Sequence, residues 1–256
     1  MAVEGLLLDI DGVLAVSWEP LPGAIAAMRW LREHVPFRLI TNTTTLTRRD
    51  LAETLRRAGF DVEADEIVTA VTATATHLRD HHPGGRAFVL TDGAPGDDLS
   101  GVPLVDDPQD ADVIVIGGAS DDFTYDVVNR IFRRLMDGAA LVGMHRNLFW
   151  RTEGGWELDG GAYIAGLEQA ADTTATICGK PARAYFDAAL SLMRVPAARA
   201  VMVGDDITND VEGARAAGLT GVLVRTGKFR EGDLQKGSPD VVLDSIAEVP
   251  GWLEGL

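Results

Sequence analysis

The chain has 256 residues, 46% hydrophobic and 24% charged, a balance that excludes a disordered polymer and supports a full buried core in one or two domains. Its 39 acidic against 23 basic residues give a formal charge of −16, which disfavours nucleic acid and anionic membrane surfaces as partners. A single cysteine, Cys178, excludes an internal disulfide and a multi-cysteine zinc site, and no apolar run approaches the ~18 residues of a membrane span, so a cytoplasmic protein is expected.

Residues 3–10 (VEGLLLDI) are apolar nearly throughout, as in a strand covered on both faces. Asp9, Asp11 and Gly12 end this run. Extended alternation puts both carboxylates on one side, at the carboxyl end of a strand, where open α/β sheets bind ligands. Converging carboxylates repel unless a cation or proton intervenes. A bare D-x-D-G is also the pattern of a solvated turn, whereas an EF-hand loop is excluded because Val13 and Ala15 stand where oxygen ligands are required. Pro22 opens a helical pattern through Ile25, Met28 and Leu31. Residues 37–40 form a second strand, ending at Thr41 and Asn42. That end offers a phosphate a hydroxyl, an amide and backbone N–H groups, although the threonines that follow also suit an ordinary turn. Thr47 caps a helix that runs through Leu51 and Leu55 to Gly59.

The linker His81-His82-Pro83-Gly84-Gly85 leads into a region of different texture, with strands at 86–90, 112–116 and 140–144 separated by acidic, glycine-bearing loops. His145, Arg146 and Asn147 follow the last of these, and Trp150 and Trp156 are placed to border a cleft. Cys178 reads as a buried structural thiol. Lys180, in Gly179-Lys180-Pro181, precedes a helix at 184–193 and can set a fixed positive charge on a phosphoryl group, though a lone lysine is more often simply solvated. A strand at 200–203 then ends in Gly204-Asp205-Asp206, with Asp210 behind it on a helix at 209–217, and a strand at 221–224 follows. Taken alone, this second acidic cluster reads equally as favourable charge at a helix N-terminus. Two such clusters at strand ends of one parallel sheet point instead to a shared Mg²⁺ site. The alternation of strands and helices predicts an α/β fold with a parallel sheet and right-handed crossovers, built from both ends of the chain around an inserted α/β unit.

The ordered set of Asp9-Ile10-Asp11-Gly12, a strand ending in Thr41, Lys180, and Gly204-Asp205-Asp206 with Asp210 resembles the haloacid dehalogenase (HAD) superfamily. Residues 39–44 (LITNTT), 123–125 (FTY), 179–181 (GKP) and 203–206 (VGDD) look like subfamily IIA, the NagD-like and p-nitrophenyl phosphatase-like proteins. Residues 224–230 (VRTGKFR) look most like the phospholysine phosphohistidine inorganic pyrophosphate phosphatase branch. Residues 143–147 (GMHRN) depart from the threonine-asparagine pair usual in NagD-like members, which leaves substrate identity open.

The resemblance implies a Rossmann-like core at 1–77 and 179–256 and a C2-type α/β cap at 78–178. It implies a Mg²⁺-dependent phosphohydrolase of small phosphorylated metabolites, with Asp9 as nucleophile and Asp11 as general acid and base. Thr41, Asn42 and Lys180 would bind the phosphoryl oxygens. Asp9, Asp11 (through its backbone carbonyl) and Asp205 would hold Mg²⁺, with Asp206 and Asp210 orienting water or Lys180. His145, Arg146 and Asn147 would contact the leaving group from the cap, and the cap would pair two copies into a homodimer. Competing readings are a phosphate-binding or regulatory protein with negligible turnover, an aspartate-phosphorylated receiver-like domain and a phosphomutase. The complete set of carboxylates and lysine argues against the first, and Asp11 together with the large insertion against the second.

Overall fold

The computed structural model describes residues 3–152 and 155–256, the side chains of residues 150–152 excepted. The chain forms two compact units, one of Met1–Thr41, Arg48–Val68 and Lys180–Leu256, the other of Asn42–Thr47 and Thr69–Gly179. Residues 42–47 and 69–77, assigned to the core from sequence, thus fall in the second unit. Packing explains the latter segment. The helix Ala70–His81 buries Ala70, Val71, Ala75 and Leu78 in a cluster with Val113, Val115 and Val142 of the second unit's sheet.

The first unit is built on a six-stranded sheet ordered Val241–Leu243, Thr220–Val224, Ala200–Gly204, Gly5–Asp9, Phe37–Thr41 and Ile67–Thr69. Leu6, Leu7 and Leu8 are fully buried, as the unbroken apolar run requires. Gly5–Asp9 lies parallel to Ala200–Gly204 on one side and to Phe37–Thr41 on the other. The strand that follows it in sequence and the strands from the far end of the chain therefore flank it on opposite sides. That reversal of strand order opens a crevice at its carboxyl end, next to Asp9. Two amphipathic helices cover this sheet as their spacing predicts. Ala24–His34 buries Ala24, Ala27, Met28 and Leu31, and Arg48–Arg57 buries Leu51, Ala52 and Leu55.

The helix expected over 209–217 differs in kind. Residues Ile207–Glu212 form a wide π-type turn, and an α-helical turn follows only at Gly213–Ala216. Asp206 caps the start of the π-type turn, its Oδ1 accepting N–H bonds from Thr208 at 2.9 Å and Asn209 at 3.0 Å. The Asp206 carbonyl accepts the N–H groups of both Asp210 at 3.0 Å and Val211 at 3.2 Å, the second with the wider π spacing.

The second unit has its own parallel sheet, ordered Thr176–Ile177, Ala140–Gly143, Val113–Ile116 and Ala87–Leu90, close to the strands read from sequence. An antiparallel hairpin, Phe149–Thr152 with Gly155–Leu158, is added; its sequence signal is the Gly154-Gly155 pair between aromatic-rich runs. Trp156 is exposed on this hairpin, edge-on to Phe149, while the Trp150 side chain lies outside the described residues. Cys178 is buried, and loss of solvent pushes its thiol up to about 11, against a weaker opposing hydrogen bond from Thr74. A thiol held neutral in this way packs and does not attack. No helix among the described residues is long and apolar enough to cross a membrane.

Candidate active site

Asp9 ends the strand Gly5–Asp9, and Asp205 follows directly on Ala200–Gly204, its neighbour in the sheet. Lys180 lies just ahead of the helix Arg183–Met193, and Asp210 on the π-type turn. All four are buried, at 5% exposure for Asp9, 3% for Lys180, 1% for Asp205 and 0% for Asp210. The Lys180 ammonium sits 2.7 Å from Asp9 Oδ1 and 2.7 Å from Asp210 Oδ1. One oxygen from each of Asp9, Asp205 and Asp210 lies within 4.8 Å of the others. Sequence reading grouped the Asp9 side chain, the Asp11 backbone carbonyl and Asp205 around a cation; Asp210 joins Asp9 and Asp205 in the side-chain cluster, and Asp11 is exposed.

Three buried carboxylates share one buried ammonium, and the imbalance shows in their proton affinities. Burial, then the charges of Asp9 and Asp210, push the Asp205 carboxyl well above its ordinary value. Burial also raises Asp210, with Lys180 pulling against it and Asp9 and Asp206 adding to it. For Lys180, burial disfavours the ammonium, but Asp210 and Asp9 outweigh it and hold the group above its usual range. Asp205 Oδ2 accepts the Lys228 N–H at 2.6 Å, whereas its buried Oδ1 has no hydrogen-bond partner. An orphaned carboxylate oxygen in an all-oxygen, net-negative cluster fits a hard divalent cation such as Mg²⁺.

Glycines make these approaches possible. Gly12 has φ +85°, and a Cβ there would fall 2.0 Å from Asp205 Oδ2. A Cβ on Gly204 would fall 2.2 Å from Asp210 Cβ and 2.3 Å from its Oδ2. Gly204→Ala is therefore expected to drive Asp210 off Lys180, at a cost of about 1–3 kcal/mol in stability. It should also lower turnover by on the order of 10²-fold, as read by thermal melting and phosphate release. Wild-type values in both assays would show that this close approach does not matter.

Asp206 is turned away from the cluster. Burial works to raise its carboxyl, but hydrogen bonds from the Asn209 N–H and amide and the Thr208 N–H outweigh it and hold it below the ordinary range. Its own N–H donates to Asp210 Oδ2 at 3.1 Å, so Asp206 braces Asp210. Thr41 ends its strand buried, but the N–H offered to a phosphate from sequence is already used, donating to the Tyr185 hydroxyl at 3.1 Å. The single proton of that hydroxyl serves the carbonyls of Val68 at 2.6 Å and Thr41 at 2.9 Å. Tyr185, fully buried on the helix Arg183–Met193, thereby ties two strand ends together. Sequence reading gave it no role.

Asn42, His145, Arg146 and Asn147 belong to the second unit. The Asn42 side-chain oxygen and the Met144 carbonyl crowd Gly179, where a Cβ would come within 2.6 Å of both. His145 is buried, its Nδ1 accepts the Asn147 N–H at 3.3 Å, and its Nε2 lies 3.9 Å from Asp159. Arg146 is committed to Glu168 through two bonds of 3.0 and 2.6 Å, and Glu168 also accepts the Ala175 N–H. The guanidinium expected at a leaving group thus anchors the helix Gly160–Ala171. Lys228 was also missed as a site residue. Loss of solvent lowers its ammonium, but Asp205, Asp9, Asp206 and Asp210 outweigh this and hold it above the ordinary value.

The haloacid dehalogenase-like hydrolase family model matches residues 6–102, and a second, HAD-hydrolase-like model matches 177–249. Haloacid dehalogenase-like hydrolase domain-containing protein 2 of Homo sapiens is 37% identical over 239 residues, covering 93% of this chain and 90% of the relative. Phospholysine phosphohistidine inorganic pyrophosphate phosphatase of Rattus norvegicus is 33% identical over 253 residues, covering 96% and 91%. Among solved structures, p-nitrophenyl phosphatase from Archaeoglobus fulgidus matches with a TM-score of 0.90 and 26% identity over 100% of both chains. With relatives of this identity spanning almost its whole length, the chain belongs to subfamily IIA of the haloacid dehalogenase-like hydrolases and is a phosphatase.

Proposed function

We propose that this phosphatase is Mg²⁺-dependent and moves the phosphoryl group of a small phosphorylated metabolite onto Asp9 before water releases it. The observation that carries this reading is the Lys180 ammonium held between Asp9 and Asp210 beside the orphaned Asp205 oxygen. A carboxylate nucleophile needs neighbouring positive charge before it can meet a phosphate dianion, and this cluster supplies one fixed cation and oxygens for a second. Asp9, Asp205 and Asp210 offer side-chain oxygens to Mg²⁺, with the Asp11 carbonyl assigned to it as in the family. When bound, the ion offsets charge on the carboxylates and the phosphoryl oxygens.

Asp9 attacks phosphorus, forming a P–O bond as the bond to the leaving oxygen breaks, and Asp11 gives that oxygen its proton. Asp11 then takes a proton from a water molecule whose oxygen attacks the aspartyl-phosphate, releasing inorganic phosphate and restoring Asp9. Lys180 and the Thr41 hydroxyl bind phosphoryl oxygens, together with Asn42. Asp206 and Tyr185 act through the residues they brace. The second compact unit takes the part of a C2-type cap, with His145, Arg146 and Asn147 as its candidates for substrate selectivity and its surface as the place where two copies pair. An apolar cleft of about 460 Å³ in that unit, lined by residues such as Val128, Phe132, Tyr163 and Leu167, includes no carboxylate, lysine or histidine among its lining residues and is not assigned to the reaction.

Phosphate release from a panel of phosphorylated metabolites, p-nitrophenyl phosphate and pyrophosphate tests this reading. Stripping the protein with EDTA is expected to lower release by at least about 10²-fold, with Mg²⁺ restoring it. Undiminished turnover by metal-free protein would overturn the metal assignment, and no release from any member of the panel would move the reading to phosphate binding without turnover.

A further inference from the structure

Of the 23 basic residues in the chain only three are lysines, Lys180, Lys228 and Lys236. Among the described residues arginine supplies nearly all the surface ion pairs, with Arg32 to Glu66 and Arg225 to Asp244 as examples. Lys180 lies inside the carboxylate cluster, and Lys236 is paired with Asp233 at 2.7 Å. Lys228 stands at the edge of the cluster. Its N–H holds Asp205 Oδ2 at 2.6 Å, the residue is exposed overall while its charged end is partly desolvated, and Asp205, Asp9, Asp206 and Asp210 all act on its charge.

The placement is built into the turn that follows the strand Thr220–Val224. The Thr226 hydroxyl donates to the Gly12 carbonyl, tying this turn to the Asp9–Gly12 loop. Gly227, at φ +58°, passes so close that a Cβ would fall 2.0 Å from Asp205 Oδ2 and 2.5 Å from Gly12 Cα. The turn therefore fixes the Asp205 oxygen that faces Lys228 and leaves the other, orphaned oxygen for a cation. A lysine so held presents a compact charge on a flexible stem beside a negative cluster, and among the described residues no carboxylate is ion-paired with it as Asp233 is with Lys236.

We propose that Lys228 is a second cationic binding residue for the substrate phosphoryl group, seated by the Thr226–Gly227–Lys228 turn. This rests on the phosphatase reading above and adds a residue to it. Its consequence is a split in sign. A fixed positive charge near the cluster attracts the anionic ligand and opposes the divalent cation, so removing it must move the two affinities in opposite directions.

The test titrates Mg²⁺ into metal-free protein, and inorganic phosphate into protein saturated with Mg²⁺, by calorimetry of wild type, Lys228→Met and Lys228→Arg. In Lys228→Met the phosphate Kd is expected to rise about tenfold while the Mg²⁺ Kd falls about three- to tenfold, both shrinking at high salt. Lys228→Arg is expected to return both to within about threefold of wild type. Gly227→Ala, which pushes a methyl group against Asp205, provides the contrasting pattern of structural damage, with both ligands weakened. An unchanged phosphate Kd in Lys228→Met, or weakening of both ligands there, overturns the proposal. A wild type that binds no phosphate at all overturns the phosphatase reading and the proposal with it, which separates that failure from one of Lys228 alone.

Discussion

Asp9→Asn is expected to abolish phosphate release, by on the order of 10⁴-fold or more, in a protein that still folds. The substitution replaces one carboxylate oxygen with an amide of nearly the same size, so the buried end of Gly5–Asp9 keeps its packing. The amide is a poor nucleophile toward phosphorus, and Asp11, two residues on, is exposed outside the carboxylate cluster. The energetics of the fold move the other way from activity. Asp9 is the leading charge that raises Asp205, and it raises Asp210 too, so taking its charge away relieves two buried neighbours. Lys180 retains its 2.7 Å contact with Asp210. Metal-free Asp9→Asn should therefore melt within a few degrees of wild type, and its Mg²⁺ Kd should rise because one of three side-chain oxygen donors is weakened. Turnover within tenfold of wild type in a correctly folded variant would remove Asp9 from the role of nucleophile.

What the sequence makes legible here is local, and what it hides is long-range. Asp9 and Asp205 can be read because each terminates a short apolar run, and strand polarity alone then sends both to the same end of a parallel sheet. Lys180 is legible only jointly with them, since a glycine-lysine-proline turn has no meaning by itself. Tyr185 is invisible by the same logic. It reads as one more core aromatic on an amphipathic helix, and its hydroxyl partners stand 144 and 117 residues away in sequence. Asp210 is legible as a partner of Lys180 only through the family resemblance, because the π-type turn and the bare Cα of Gly204 that let it approach are not encoded in residue periodicity. Arg146 is the opposite case. An arginine at a strand end looks unpaired, but Glu168, 22 residues on, bonds it.

Lys180→Met is expected to lower turnover by on the order of 10³-fold, and its effect on stability distinguishes this cluster from a surface network. Methionine fills a similar volume but leaves Asp9 and Asp210 without their shared ammonium. Breaking a buried pair in this way costs about 3–5 kcal/mol, because the remaining charge is neither solvated nor paired. The pH dependence of that loss has a definite sign. Lys180 is held above its ordinary value, so its contribution in the wild type is fully present throughout the neutral range and is lost only as pH rises through that elevated value. Asp205 and Asp210 are raised, so the folded protein binds protons there more tightly than the unfolded chain, and metal-free stability falls as pH climbs from about 4 through those raised values. Without Lys180 the pull that lowers Asp210 is gone, so the variant's deficit should be small at pH 5, where protons take the place of the ammonium, and larger at pH 8. Mg²⁺ then substitutes for the missing charge. By linkage it should raise the melting temperature of Lys180→Met more than that of wild type, since the cation meets three carboxylates with no competing ammonium. Thermal melts of both proteins at pH 5 and pH 8, with EDTA and with Mg²⁺, measure all three effects. A deficit that is the same at both pH values and indifferent to Mg²⁺ would mean that Lys180 acts through packing alone, and the electrostatic account of the cluster would fall with it.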